Sequence, residues 1–183
     1  MSNKISLAKT RALILKRELF EEADYLYIIL TKNWGKLIVR AHGIRKNKSK
    51  LKSLLEPFTY GNVILTNNPG RKILVNIEII DPLLNIHSNL EQILIAQFFT
   101  EVINLLVPEE EIDLNLWLLV YNAFQFLNQT LSNLSSNDSL KIQKMFLIRI
   151  LETLGYGRTS SPEKVFYELT GKSISYFNSS SIF

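Results

Sequence analysis

The hydrophobic period of the sequence changes at Asp81-Pro82, and this change constrains the fold more than any other feature. Before it, short segments alternate between apolar and polar residues, which is typical of half-buried strands. After it, apolar residues recur at the spacing of amphipathic helices. We therefore predict an α+β chain with two domains, residues 1–82 built from strands and residues 83–183 forming an all-α bundle with a short irregular tail.

Five strand segments are indicated in the first domain, at residues 12–15, 25–31, 36–42, 59–66 and 73–80. The turn Asn33-Trp34-Gly35 separates the second from the third, and Asn67-Asn68-Pro69-Gly70 separates the fourth from the fifth. Because no long helix interrupts these segments, they predict a small five-stranded β-barrel of the OB type.

Four helices are predicted in the second domain, at about 88–107, 113–131, 138–154 and 161–171. Ser88-Asn89-Leu90-Glu91 is a capping-box pattern, and Ser161-Pro162 is a typical helix start. The acidic residues of 109–113 are expected to stabilise the dipole of the helix that follows them. That helix is apolar nearly all round, so we predict that it is the buried centre of the bundle.

The charges are unevenly distributed between the two domains. Residues 1–82 contain 15 Lys and Arg against 7 Asp and Glu, whereas the remaining residues carry a net charge of −4. No acidic residue occurs between Tyr25 and Leu55, a stretch that contains eight Lys and Arg. Such a one-sign run indicates a polyanionic partner, usually nucleic acid or a membrane surface.

Signatures of catalysis and of cofactor binding are nearly absent. No glycine-rich phosphate-binding motif occurs, there is no cysteine, and His42 and His87 are the only histidines. We predict a protein that is not an enzyme and has no metal or cofactor, although the acidic residues of 109–113 leave a metal-dependent hydrolase as an alternative. The segment 114–127 is too short and too polar to span a membrane, and the N-terminus lacks a secretory signal pattern. We therefore expect a cytoplasmic, nucleoid-associated protein.

A DNA-binding surface is predicted on the barrel, because the face formed by strands 2 and 3 and the loop between strands 4 and 5 are usual ligand surfaces of OB barrels. Two tyrosines there are candidates for stacking on bases, with packing at the junction of barrel and bundle as the alternative, and the cations are candidates for phosphate contacts. The predicted residues are Tyr25, Tyr27, Lys36, Arg40, Arg45, Lys46, Lys48, Lys50, Lys52, Arg71 and Lys72. These residue types do not distinguish DNA from RNA.

The order of several short motifs resembles that of a known family. Leu30-Thr31-Lys32-Asn33-Trp34-Gly35-Lys36 is followed by Arg40-Ala41-His42-Gly43-Ile44-Arg45-Lys46, and Leu154-Gly155-Tyr156-Gly157 comes much later. Over about residues 8–157 the chain is similar to the RecO family of recombination mediators. The resemblance implies that the chain binds single- and double-stranded DNA, anneals complementary strands and helps to load recombinase onto strands coated by single-strand-binding protein.

The resemblance also implies two protein partners, a RecR-type protein and the acidic, Phe-ending tail of single-strand-binding protein. A stripe formed by Lys141, Met145 and Arg149 on the third predicted helix is our candidate for docking that tail. The chain departs from the family pattern at His42, where a lysine is usual, and in lacking the cysteines of a four-cysteine zinc module. We expect that module to be lost or replaced by the segment Ser161 to Phe183. The alternatives are an RNA-binding OB protein, an interaction scaffold and a peripheral membrane protein.

Overall fold

The computed structural model of the chain describes residues 6–22, 24–42, 55–66, 72–130 and 134–175. The chain divides into two compact units. The barrel unit consists of Met1–Pro82 together with Glu109–Asp113, and the helical unit consists of Leu83–Pro108 and Leu114–Phe183. The predicted fold class is confirmed, since a five-stranded barrel of the OB type precedes an all-α region.

The barrel is an antiparallel sheet that closes on itself. Its strands are β1 (Leu7–Phe20), β2 (Asp24–Thr31), β3 (Gly35–Ala41), β4 (Tyr60–Thr66) and β5 (Leu74–Asp81), in the order β3-β2-β1-β4-β5. A parallel bridge between Arg40 and Ile73 joins the two ends of this order. The backbone N–H of Arg40 there donates to the carbonyl of Lys72 at 3.3 Å. Inward-facing apolar residues of all five strands form one buried core.

Strand β1 is much longer than the predicted segment 12–15. Leu7 to Leu13 pair with β4, and Ala12 to Phe20 pair with β2 across an irregularity between Ile14 and Lys16. The charged residues near both ends of β1 made these parts of the sequence read as loop. Because backbone pairing on both sides outweighs local composition, these residues are nevertheless extended.

The acidic segment Glu109–Asp113 packs against the barrel instead of serving as the first turn of a helix. Glu109 forms a parallel bridge with Lys36, and the N–H of Glu110 donates to the Lys36 carbonyl at 2.9 Å. The first turn of the following helix contains no acidic residue. Backbone pairing with the edge of β3, and not the helix dipole that we predicted, therefore accounts for the position of Glu109 and Glu110.

The described residues of the helical unit form one short and four longer helices. They are α1 (Leu84–Ser88), α2 (Leu90–Leu106), α3 (Leu114–Gln129), α4 (Ser136–Thr153) and α5 (Pro162–Thr170). Helix α1 was not predicted, and it shifts the N-cap of α2 from Ser88 to Asn89, whose side chain accepts from the N–H of Gln92 at 3.2 Å. Within the described residues, no helix is both long enough and apolar enough to cross a bilayer.

The centre of the bundle is α2, so our prediction for α3 was wrong. Helix α2 packs against each of the other four helices and buries most of its circumference. The buried Gln92 side chain donates at 2.8 Å to the carbonyl of Leu127, in the last turn of α3, and at 3.0 Å to that of Thr130, just after the helix. Helix α3 instead leaves apolar side chains in solvent, including Leu118 and Phe126, which is 56% exposed.

Candidate nucleic-acid interface and peptide groove

Lys36 does not lie on the barrel surface. It is 5% exposed, and the adjoining segment at Glu109 covers it. Burial lowers the pKa of Lys36 below its ordinary value, and attraction to the Glu109 carboxylate offsets only part of this effect. The predicted phosphate contact at Lys36 is therefore corrected, since this residue is buried. The acid-free run gave no sign of this burial, because the segment that covers Lys36 is distant in sequence.

The two predicted stacking residues pack into the barrel. Tyr27 is fully buried, and burial raises the pKa of its hydroxyl to about 12. Tyr25 meets it edge-to-face at a centroid distance of 6.1 Å, and the Arg17 guanidinium lies 5.1 Å from the centroid of the Tyr25 ring. The prediction that Tyr27 stacks on bases is thus corrected, since its side chain packs in the barrel core. The ring of Tyr25 already contacts Tyr27 and the Arg17 guanidinium.

Arg40 is held by carboxylates that precede the acid-free run in sequence. Its Nε donates to Asp24 at 2.6 Å, and another guanidinium nitrogen pairs with Glu21. The hydrogen bond to Asp24 is the main cause that raises the pKa of Arg40. His42 Nδ1 lies 2.8 Å from the same Asp24 oxygen. The pairing of β2 with β3 therefore places acids beside cations that look unopposed in the sequence.

The other predicted barrel cations fall into two groups. Lys72 lies two residues before β5, and its ammonium is 5.5 Å from the centroid of the Trp34 ring. Six cations lie outside the described residues, and their role stays a prediction; they are Arg45, Lys46, Lys48, Lys50, Lys52 and Arg71.

Two exposed cations that we did not predict as site residues lie next to each other on the barrel. The N–H of Lys32 donates to the carbonyl of Arg11 at 2.9 Å, so β1 and the β2–β3 turn bring both residues together. Within the described part of the barrel, Arg11 and Lys32 are exposed and form no ion pair. A phosphate placed between two such like charges relieves their repulsion. Only strand register reveals this pair, because 20 residues lie between the two in sequence.

A matched pair of lysine substitutions tests which cations contact DNA. Lys32→Met removes an exposed cation, so we expect weaker binding of single-stranded DNA and a salt dependence shallower by about 0.7 in log–log slope. Lys36→Met removes a buried cation, so both quantities should stay unchanged. Fluorescence anisotropy at several salt concentrations measures both. Equal losses for the two variants would mean that Lys36 becomes exposed when DNA binds.

An apolar groove of about 390 Å³ lies between α3 and α4 in the helical unit. Its floor is the stacked pair Phe99 and Phe146, whose ring centroids are 4.0 Å apart. Helix α3 contributes Leu119, Ala123 and Phe126 to its walls. The groove exists because α3 turns only part of its apolar surface towards α2.

All three residues of the predicted docking stripe line this groove. Met145 is 55% exposed within it, and Lys141 and Arg149 lie one turn away on either side along α4. Lys141 is 3.9 Å from Asp138 and Arg149 is 3.5 Å from Glu152, and all four side chains keep access to solvent. Apolar walls with cations at both ends suit a peptide that combines an apolar anchor with acidic residues. Docking itself stays a prediction.

The described residues give no support to a metal site. Nowhere among them do three or more His, Asp or Glu side chains come together in a way that suits a metal ion. Glu109 and Glu110 are instead engaged with β3 through their backbone. The alternative of a metal-dependent hydrolase, which relied on this acidic cluster, therefore has no observation in its favour.

Comparison with known proteins points to one family. A family model described as "Recombination protein O N terminal" matches residues 1–83. The chain is 29% identical over 153 residues to the "DNA repair protein RecO" of Clostridium novyi (strain NT), covering 84% of this chain and 58% of that protein. It is 32% identical over 149 residues to the protein of that name from Dehalococcoides mccartyi, covering 81% and 56%. The chain thus spans little more than half the length of these relatives.

Proposed function

Because this chain belongs to the RecO family of DNA repair proteins, we propose that it binds single- and double-stranded DNA and anneals complementary strands without catalysing a covalent reaction. The observation that carries this proposal is the closed OB barrel with the adjacent, exposed cations Arg11 and Lys32. A protein with this DNA-binding role would act at the nucleoid.

The proposed mechanism uses phosphate contacts that do not depend on sequence. Annealing requires two strands whose mutual repulsion is neutralised while their base edges stay free, and phosphate contacts meet both conditions. Arg11, Lys32 and Lys72 are the described cations that suit this role. The six predicted cations outside the described residues are proposed to extend the same surface; they are Arg45, Lys46, Lys48, Lys50, Lys52 and Arg71.

Partner binding completes the proposed mediator role. The groove between α3 and α4 is proposed to bind the acidic, Phe-ending tail of single-strand-binding protein, with the aromatic residue between Phe126 and Met145. Lys141 and Arg149 would attract the acidic residues. Docking would place the barrel beside coated DNA, where a RecR-type partner and recombinase take over the strand.

Strand annealing is the experiment that tests this function. Two complementary labelled oligonucleotides are followed with and without the protein, first bare and then coated with single-strand-binding protein. We expect acceleration in both cases. Acceleration of bare strands alone would support the DNA-binding role and contradict the tail-docking role. No acceleration, together with no salt-sensitive DNA binding, would contradict the proposed function as a whole and favour an interaction scaffold.

The salt dependence of DNA binding gives a second measurement. If about five cations contact single-stranded DNA, the logarithm of the association constant should fall with the logarithm of salt concentration with a slope near −3.5. A slope near zero would contradict a phosphate surface. An RNA oligonucleotide of the same sequence is the control, and clearly tighter RNA binding would favour the alternative of an RNA-binding protein.

A further inference from the structure

The carboxylate of Glu152, near the end of the α3–α4 groove, accepts hydrogen bonds from two arginines. Glu152, in the last turn of α4, accepts from Arg158 Nε at 3.0 Å with one oxygen and from Arg149 Nη1 at 3.5 Å with the other. The side chain of Arg158 is 87% exposed, whereas that of Glu152 is 21% exposed. The acid is therefore mostly enclosed, and the arginines are the groups that a ligand reaches first.

A second hollow, of about 220 Å³, continues the groove at this end. Met145 and Arg149 line both hollows, and Glu152 and Arg158 belong to the second. The surface is consequently apolar around Met145 and becomes charged from Arg149 onwards. An apolar region followed by a charged one matches a peptide whose apolar terminal residue follows acidic residues, because each part of the peptide then meets a complementary part of the surface.

We propose that Glu152 is an internal competitor of this peptide. In the free protein its carboxylate holds Arg149 and Arg158. When the apolar terminus of the peptide enters the groove, acidic residues of the peptide replace Glu152 at both arginines. This inference rests on the proposed docking of an acidic, Phe-ending tail, and it adds Arg158 to the residues that recognise the tail and Glu152 as the residue that limits its affinity.

The charges make this exchange feasible. Two arginines and one glutamate leave a net positive charge in the second hollow, so the site still attracts an anion while Glu152 is bound. Ion pairs as exposed as that of Arg158 are weak and exchange readily. A peptide with two acidic residues satisfies both arginines, whereas one with a single acidic residue leaves an arginine with Glu152. The competition therefore selects for peptides with several acidic residues.

The test measures the affinity of a labelled acidic peptide ending in Phe for variants of the full chain by fluorescence anisotropy. Glu152→Gln keeps the shape of the side chain and removes its charge, so we expect binding about threefold tighter than for the wild type. Arg158→Gln should bind about threefold more weakly, and because Arg158 is highly exposed this variant also serves if Glu152→Gln fails to fold. Glu168→Gln is the matched control, since Glu168 is an exposed acid paired with Lys164 on α5.

The outcomes separate this inference from the docking proposal. If the wild type binds the peptide and Glu152→Gln binds no more tightly than Glu168→Gln, competition by Glu152 is overturned and docking survives. If Glu152→Gln tightens binding of a single-stranded oligonucleotide but not of the peptide, the arginines form a phosphate site and the inference is wrong. If neither the wild type nor Glu152→Gln binds the peptide, docking fails and the inference fails with it.

Discussion

Reversing the charges of Lys141 and Arg149 to glutamate should weaken binding of an acidic, Phe-ending peptide by at least about tenfold, because two attractive contacts become repulsive. Both residues line the groove between α3 and α4 on either side of Met145. Both side chains are also more than half exposed, so the substitutions should leave the fold intact. Affinity for single-stranded DNA should change by less than about twofold, because neither residue belongs to the barrel unit, whose cations are proposed to contact phosphate. Anisotropy with labelled peptide and labelled oligonucleotide measures both affinities.

The control for this double reversal is Lys144→Glu with Lys164→Glu. These two exposed lysines belong to the same helical unit, and neither lines the groove. The control changes the net charge by the same amount, so it isolates the effect of position. An equal loss of peptide binding in both double variants would show that the peptide responds to net charge alone, and the groove would then be the wrong site.

Much of the fold was predictable from the sequence because local signals agreed with the tertiary structure. The alternation of apolar and polar residues located β2 to β5, and the period change at Asp81-Pro82 marked where the strands end. Helical spacing also predicted that Lys141, Met145 and Arg149 share one face, and all three line one groove. These features depend on residues close together in sequence, which is the information that a single sequence contains.

The parts that the sequence did not reveal depend on residues far apart. The acid-free run suggested unopposed cations, but the pairing of β2 with β3 brings Asp24 to Arg40 and His42. Register likewise places Arg11 beside Lys32. The second wall of the groove comes from α3, whose pattern is apolar nearly all round, so the sequence could not show which side stays exposed. Charge runs therefore predict a class of partner more reliably than they predict individual contacts.

Replacing Gly35 with alanine should destabilise the protein strongly, because two separate penalties coincide at this position. Gly35 has a φ of 66°, which costs a residue with a Cβ atom about 1–2 kcal/mol. A Cβ atom at Gly35 would also lie 2.0 Å from the backbone oxygen of Glu111. Because that neighbour is backbone, relief requires moving the segment Glu109–Asp113 away from β3, with loss of the hydrogen bond from Glu110 to Lys36.

Gly171→Ala separates these two penalties. Gly171 has nearly the same φ, 68°, but no atom lies within 4 Å of the position of an added Cβ. It should therefore show the backbone cost alone, about 1–2 kcal/mol, whereas Gly35→Ala should cost clearly more in urea unfolding followed by circular dichroism. If both variants lose the same stability, the segment Glu109–Asp113 yields without cost, and its pairing with β3 contributes nothing to the fold. A larger loss at Gly35 means that this segment is a fixed part of the barrel unit, held against β3 by backbone pairing.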